Sequence, residues 1–155
     1  MRNIIIPLAL LMLFSCGEAE KQYFRIDDCA ILNAGVHNNG FTIFCYIDSA
    51  ECNICVVQWL HRWTYFEDDL KEMKVGVVLI VRNSDEDAVR KLMDFLRLDF
   101  PIIFDKSATI RRQNRAMLRQ HSVFVVNNKK EVVWLGLPIE SRTSWNSFRR
   151  MIRRY

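Results

Sequence analysis

Residues 41–73 have the sequence FTIFCYIDSAECNICVVQWLHRWTYFEDDLKEM, and the fold prediction starts from this stretch. It begins with an apolar run, Phe41 to Ile47, whose β-branched and aromatic residues predict a strand. A polar elbow, Asp48 to Glu51, comes next. From Cys52 onward, apolar residues recur at intervals of three and four, which predicts an amphipathic helix up to Met73. The predicted order is therefore strand, elbow, cysteine pair and helix.

The two cysteines, Cys52 and Cys55, lie at the start of this predicted helix. The free backbone amides and the positive dipole end of a helix N-terminus favour a thiolate over a thiol at Cys52. Glu51, directly before it, opposes that ionisation by its negative charge. The two intervening residues place the Cys55 sulfur one turn further along, where it can close a disulfide with Cys52. The pair has the form of a redox switch.

The remainder of the chain alternates between predicted strands and helices. Val75 to Val81 is a continuous apolar run, which is typical of a central strand covered on both faces. The other predicted elements are a helix that starts at a polar cap, Asn83 to Asp85, a strand at Ile102 to Phe104, a helix at Ser107 to Leu118, a hairpin of Val123 to Val126 and Val132 to Leu135, and a last helix at Ser141 to Tyr155. The residues predicted to face inward are Ala88, Val89, Leu92, Met93, Phe95 and Leu96 in the first of these helices, and Ile110, Ala116, Met117 and Leu118 in the second.

This order of elements resembles that of the thioredoxin-fold proteins, over residues 36 to 154 of the chain. The resemblance implies an α/β, thioredoxin-like fold with a central mixed sheet of about four to five strands flanked by helices, and a cysteine pair that exchanges disulfides. Three positions depart from the thioredoxin pattern. Tyr46 stands where thioredoxins carry an acidic residue, Glu51 stands in place of Trp, and Asn53-Ile54 stands in place of Gly-Pro.

A fourth departure concerns the loop that faces the sulfurs in thioredoxin-fold proteins. Those proteins place a cis-proline before the third core strand, but no proline occurs here between Pro101 and Pro138. Aligning Val123 to Val126 with that strand puts His121 at this position. As an imidazolium, His121 is expected to favour the thiolate of the first cysteine by its charge.

Two other interpretations of His121 remain open. Either it completes a Cys52, Cys55 and His121 set for a soft or borderline metal such as copper, or it only hydrogen-bonds its own loop. Its Gln-His-Ser context resembles the copper chaperones of cytochrome oxidase assembly, although those proteins space their cysteines by three residues. No second pair of cysteines or histidines supplies the ligands of a structural zinc site, so the leading interpretation expects no metal and no other cofactor.

The N-terminus is predicted to be a targeting segment. Arg2 is followed by an apolar run, Ile4 to Phe14, that is too short to span a bilayer and has the form of a signal-peptide core. Leu13-Phe14-Ser15-Cys16 resembles a bacterial lipobox, which implies a lipid on Cys16. The expected division is a signal peptide at 1–15, a tether and N-terminal arm at 16–35, and a thioredoxin-like domain at 36–155. An ordinary secretory signal or a simple membrane anchor is the alternative.

The charge of the chain is modest, at +4, and much of it comes from one cluster. That cluster is formed by Arg149, Arg150, Arg153 and Arg154. A nucleic-acid interface would interleave basic residues with aromatic stacking platforms on one surface, so no nucleic acid is expected as a partner. The cluster is interpreted as a solvated helix face that lies near anionic phospholipid.

The leading function is a membrane-tethered, extracytoplasmic thiol:disulfide oxidoreductase whose partners are protein thiols or disulfides. In that compartment disulfides persist, but Cys29 and Cys45 are expected to be unpaired, small buried residues. The competing functions are a redox-inert binding module and a copper-carrying chaperone. A peroxidase is not favoured, because peroxiredoxins carry Thr and Pro before the attacking cysteine and this chain has Ala50-Glu51.

Overall fold

The structure, a computed structural model of the chain, describes residues 21–33, 40–48, 60–82 and 85–155. Within them lies a five-stranded mixed sheet of order β3-β2-β1-β4-β5. Strands β1, β2 and β3 are parallel, whereas β4 is antiparallel to both β1 and β5. The strands are β1 (Phe41–Asp48), β2 (Val75–Arg82), β3 (Ile102–Phe104), β4 (Val123–Val126) and β5 (Val132–Leu135). The predicted thioredoxin-like sheet is confirmed.

The helices surround this sheet, and two of them begin at side-chain caps. Asp85 accepts a hydrogen bond from the Ala88 amide at 2.9 Å, and Ser141 accepts one from the Ser144 amide at 3.1 Å. The described helices are α1 (Asp28–Asn33), a 3₁₀ helix (Arg62–Phe66), α2 (Glu67–Glu72), α3 (Glu86–Leu96), α4 (Thr109–Gln113), α5 (Arg115–Leu118) and α6 (Arg142–Ile152).

The sheet separates two apolar cores, because alternate residues of a strand point to opposite faces. In β1, Ile43 and Cys45 face the first core, which also contains Trp63 and Phe148. Phe44 of the same strand faces the second core, on the other side of the sheet. Cys45 is completely buried and carries a free thiol, which confirms the prediction that it is unpaired.

The N-terminal arm packs against the second core and pairs with the outer hairpin. The Phe24 amide donates to the Lys130 carbonyl at 2.8 Å, and the Val132 amide donates to the Gln22 carbonyl at 2.7 Å. The Phe24 ring lies 4.5 Å from that of Phe124, measured between centroids. The described part of the arm thus extends the sheet beyond β5.

The long helix predicted from Cys52 to Met73 is not continuous. Its first residues lie outside the described part of the chain, and from Arg62 to Phe66 the backbone is a 3₁₀ helix before α2 begins. The tighter turn coincides with an aromatic and β-branched run of low helix propensity, in which Trp63 is completely buried.

The predicted helix at Ser107 to Leu118 is divided into α4 and α5 at Asn114. The buried Asn114 side chain bonds to the arm: it accepts from the Arg25 amide at 2.8 Å and donates to the Arg25 carbonyl at 2.7 Å. The helix is therefore interrupted at Asn114, whose side chain makes this long-range contact. Ala116, predicted to face inward, is exposed.

Fewer residues of α3 are buried against the sheet than predicted. Met93 and Leu96 are buried, but Ala88 is exposed and the Phe95 side chain is 80% exposed. Phe95 is two residues after Met93, and residues two apart lie on different sides of a helix. Counting Phe95 among the inward residues was wrong.

Candidate functional site

Most of the predicted site lies outside the described residues. Cys16, Glu51, Cys52 and Cys55 belong to this group, so the structure tests neither the lipid attachment nor the cysteine pair. The structure describes His121, and it also describes Asp48, which ends β1 four residues before the first cysteine of the pair. The described part of the site is the end of β1 and the residues around it.

The elbow edge is the edge of the sheet at which β1, β2 and β3 end and β4 begins. Parallel strands bring their carboxyl ends to the same edge, and β4 runs in the opposite direction, so its first residues join them. The Tyr46 amide donates to the Ser122 carbonyl at 2.7 Å. His121, the preceding residue, is half-buried, and its amide donates to the Met117 carbonyl at 3.0 Å. The structure thus places His121 at the edge where the chain leaves β1 towards the cysteines.

An ion cluster occupies the same edge. Arg82, at the end of β2, contacts one carboxylate oxygen of Asp48 at 3.1 Å, and Arg111 of α4 contacts the other oxygen. These three groups together carry one net positive charge. A cluster of this sign favours an anion in its surroundings, such as a thiolate or a carboxylate of a bound peptide.

Below the ion cluster lies a buried pair, Tyr46 and Asp105. The Tyr46 hydroxyl donates to Asp105 Oδ2 at 3.0 Å, and Asp105 is only 4% exposed. The amides of Ile110 and Arg111 donate to the same carboxylate, each at 3.1 Å, so Asp105 also holds the first turn of α4. Three donors satisfy this carboxylate.

The ionisation of Tyr46 is suppressed. Burial and the adjacent Asp105 carboxylate raise the pKa of the Tyr46 phenol well above its usual value. Tyr46 therefore remains a neutral hydrogen-bond donor at any physiological pH. This phenol bonds to a carboxylate that directly follows β3.

Sequence reasoning missed Asp105, Arg82 and Arg111. Asp105 directly follows a predicted strand and precedes a predicted helix, which is the sequence context of a capping residue and could have identified it. No local signal marks the two arginines, because they are 34 and 63 residues away from Asp48, with which they pair.

The described residues contain neither a metal-binding cluster nor a membrane span. No group of three or more His, Cys, Asp or Glu side chains there is arranged to hold a metal ion. The copper set predicted as an alternative needs both cysteines of the pair and is not tested. No helix in the described ranges is long and apolar enough to cross a bilayer.

Comparison with known proteins gives a fold but no family. No protein-family model matches the chain, and no curated protein matches it. Among solved structures, it is similar to the peroxidoxin BcpB of Mycobacterium tuberculosis, with 14% identity, a TM-score of 0.59 and coverage of 79% of this chain and 84% of that one.

Two further solved structures are also similar, with lower TM-scores. The thioredoxin domain of the thiol-disulfide oxidoreductase BVU-2223 from Bacteroides vulgatus has 8% identity and a TM-score of 0.56, covering 74% of this chain and 81% of that one. A secreted disulfide oxidoreductase of Mycobacterium tuberculosis has 11% identity and a TM-score of 0.50, covering 75% and 82%. At these identities the similarity is one of fold, and the fold is thioredoxin-like.

Proposed function

We propose that the chain is an extracytoplasmic thiol:disulfide oxidoreductase with Cys52 and Cys55 as its redox pair. The observation that carries the proposal is the position of the C-x-x-C sequence, which begins four residues after Asp48 at the elbow edge of a thioredoxin-like sheet. A cationic cluster and His121 are present at that edge. Two of the similar structures are named as oxidoreductases of disulfides, which supports the same chemistry.

The proposed reaction is a two-step exchange. The Cys52 thiolate attacks one sulfur of a substrate disulfide, the substrate S–S bond breaks, and the departing sulfur takes up a proton. The Cys55 thiol then loses its proton and attacks the mixed disulfide, which releases the second substrate thiol and leaves a Cys52–Cys55 disulfide. The substrate gains two electrons and two protons. The protein supplies both electrons and the Cys55 proton, and the solvent supplies the other proton, which it received when Cys52 ionised. The reverse sequence oxidises a dithiol.

The framework residues have separate roles in this scheme. The net positive charge of Asp48, Arg82 and Arg111 counteracts the neighbouring Glu51, because a nearby positive charge favours a thiolate. His121, as an imidazolium, acts in the same direction. The buried pair of Tyr46 and Asp105 keeps the end of β1 in place.

The proposal includes a lipid on Cys16 that tethers the domain to the extracytoplasmic side of a bacterial membrane. The lipobox-like sequence supports it, and one similar protein is described as secreted. The test is fractionation of cells that express the full chain with Cys16→Ala. Release from the membrane fraction is expected, and unchanged membrane retention of an unprocessed precursor contradicts lipid tethering.

The oxidoreductase itself is tested by thiol trapping on the full chain. Brief alkylation of the reduced protein, followed by mass spectrometry, is expected to label Cys52 faster than Cys55. Cys55→Ala should accumulate mixed disulfides with other proteins, and Cys52→Ala should not. Cys45→Ala is the matched control, because this thiol is buried and free, and it should leave the trapping pattern unchanged. Equal, slow labelling of Cys52 and Cys55 contradicts the assignment.

A copper carrier is the second candidate, favoured by the position of His121 at the elbow edge. In that case reduced protein binds copper at one equivalent through Cys52, Cys55 and His121. His121→Ala then abolishes copper binding, whereas in an oxidoreductase it changes only how Cys52 labelling depends on pH. If the protein binds one equivalent of copper, loses it in His121→Ala and shows no disulfide exchange, the copper carrier is supported and the oxidoreductase is contradicted. Absence of both activities leaves a redox-inert binding module.

A further inference from the structure

The end of the sheet opposite the elbow edge carries a cationic surface, which we call the entry end, and on it Lys21 pairs with Glu131 at 3.2 Å. It consists of Lys21, Phe41 and the last turns of α6 with Tyr155. The end of α6 has a groove of about 370 Å³, lined by Ser147, Arg150, Met151, Arg154 and Tyr155. Two guanidinium groups and an apolar wall thus border one concave surface.

The arginines of this surface have no counter-ion in the part of the chain that the structure describes. None of the ion pairs found there includes an arginine of the cluster Arg149, Arg150, Arg153 and Arg154. Among the described residues, the partners of Arg150 are neutral groups of its own helix, the Asn146 carbonyl at 3.3 Å and the Ser147 hydroxyl at 3.2 Å. Their position at a helix C-terminus is favourable for cations, but it leaves most of their donors open.

Strand register places this surface at the end where the chain enters the fold. The Tyr155 ring packs edge-on against Phe41, the first residue of β1, at 5.3 Å between centroids. Val132, whose amide binds the Gln22 carbonyl, is paired with Val126, and Val126 is paired with Thr42 near the start of β1. The arm and the end of α6 therefore meet at the same end of the sheet.

The length of the tether limits how far Lys21 can lie from the membrane. Five peptide steps join Cys16 to Lys21, and an extended chain of that length spans at most about 18 Å. If the proposed lipid is on Cys16, the entry end lies close to the bilayer surface. Anionic headgroups attract arginines within about 8–10 Å at physiological salt, which this tether permits.

We infer that the entry end docks on the headgroups of anionic phospholipids, so that the elbow edge faces away from the bilayer. Arg150 and Arg154 contact the lipid phosphates, and Tyr155, which is 76% exposed, lies at the interface where its ring and hydroxyl are both accommodated. The orientation rests on the proposed tether at Cys16. It leaves the elbow accessible to protein substrates.

The test uses the full chain reconstituted into vesicles of phosphatidylcholine alone or mixed with phosphatidylglycerol. Trypsin is added outside, and the rate of cleavage after Arg153 is compared with that after Arg119, which lies at the elbow edge. Cleavage after Arg153 should slow roughly threefold or more on the mixed vesicles only, and high salt should restore it.

Two double variants with the same charge change complete the experiment. Arg150→Gln with Arg154→Gln should abolish the difference between vesicles, and Arg112→Gln with Arg115→Gln, which keeps the reference site at Arg119, should retain it. Equal cleavage on both vesicles, or equal protection by inorganic phosphate in the absence of lipid, overturns the inference. Failure of the chain to remain on either vesicle is instead a failure of the proposed tether, and Cys52 labelling reports separately on the oxidoreductase.

Discussion

The elbow edge and the entry end differ in whether their charged side chains are paired with one another. At the elbow edge Asp48 is held between Arg82 and Arg111, and Asp105 accepts from three donors. At the entry end no described carboxylate pairs with the arginines of α6. A network whose members satisfy one another fixes the backbone, whereas unpaired charges on a surface are available to an external partner. Removal of a charged side chain should therefore change the free energy of unfolding by different amounts at the two ends.

The largest effect is expected from Asp105→Ala. This change leaves the Tyr46 hydroxyl and two amides of α4 without their acceptor in a buried place, which should lower the free energy of unfolding by about 3 kcal/mol. Urea denaturation followed by tryptophan fluorescence measures it. Asp105→Asn keeps an acceptor oxygen, so its free energy of unfolding should fall by less. If Asp105→Ala lowers the free energy of unfolding no more than replacement of an exposed residue does, the network does not stabilise the fold.

The next effect concerns Tyr46→Phe, which removes one donor and keeps the ring. At neutral pH the free energy of unfolding should fall by about 1.5 kcal/mol, because the hydrogen bond to an ionised carboxylate is lost. The pKa of Tyr46 is raised in the folded state, so the native protein loses stability as pH rises above the unfolded value of about 10. Tyr46→Phe should lack this decline. Burial also raises the pKa of the Cys45 thiol, but this contribution is the same in both proteins and cancels in the difference between their curves of stability against pH. Parallel curves contradict the assignment.

The strands were predictable because each has a local signature. The apolar run at Val75 to Val81 and the hairpin from Val123 to Leu135 needed only burial and turn chemistry to be recognised. The helices were less predictable: Asn114 divides α4 from α5 through a contact 89 residues away, which no periodicity contains. The same holds for Phe95, since its apolarity alone did not indicate whether a neighbour covers it.

The candidate site also has one part that the sequence predicts and one part that it does not. The placement of His121 at the elbow edge followed from the order of strands, which the sequence pattern contains. The Tyr46–Asp105 pair joins residues 59 positions apart, and its existence depends on β3 ending beside β1 with β2 between them. Such a pair is a property of the sheet order and register rather than of either segment.

A smaller effect is expected at Asp48, measured on the cysteine four residues later. Asp48→Asn leaves two guanidinium groups uncompensated, and at a distance of at most about 14 Å this should raise the rate of Cys52 alkylation at neutral pH about twofold. Arg82→Gln should lower the rate by a similar factor. Both effects should diminish in high salt. Changes of the same sign in the two variants would indicate a distortion of the elbow rather than charge.

The smallest effect on stability is expected at the entry end, from Arg154→Gln. This arginine is exposed and pairs with no described carboxylate, so its replacement should change the free energy of unfolding by at most about 0.3 kcal/mol in detergent-free buffer without lipid. The fall in the free energy of unfolding should thus be about tenfold larger for Asp105→Ala at one end of the sheet than for Arg154→Gln at the other. In the presence of vesicles that contain phosphatidylglycerol, the wild-type chain should become more stable than the variant, because a ligand that binds only the folded state stabilises it. Equal stability of the two proteins on such vesicles would mean that this arginine is only solvated, whereas a large loss without lipid would show that it supports the fold itself.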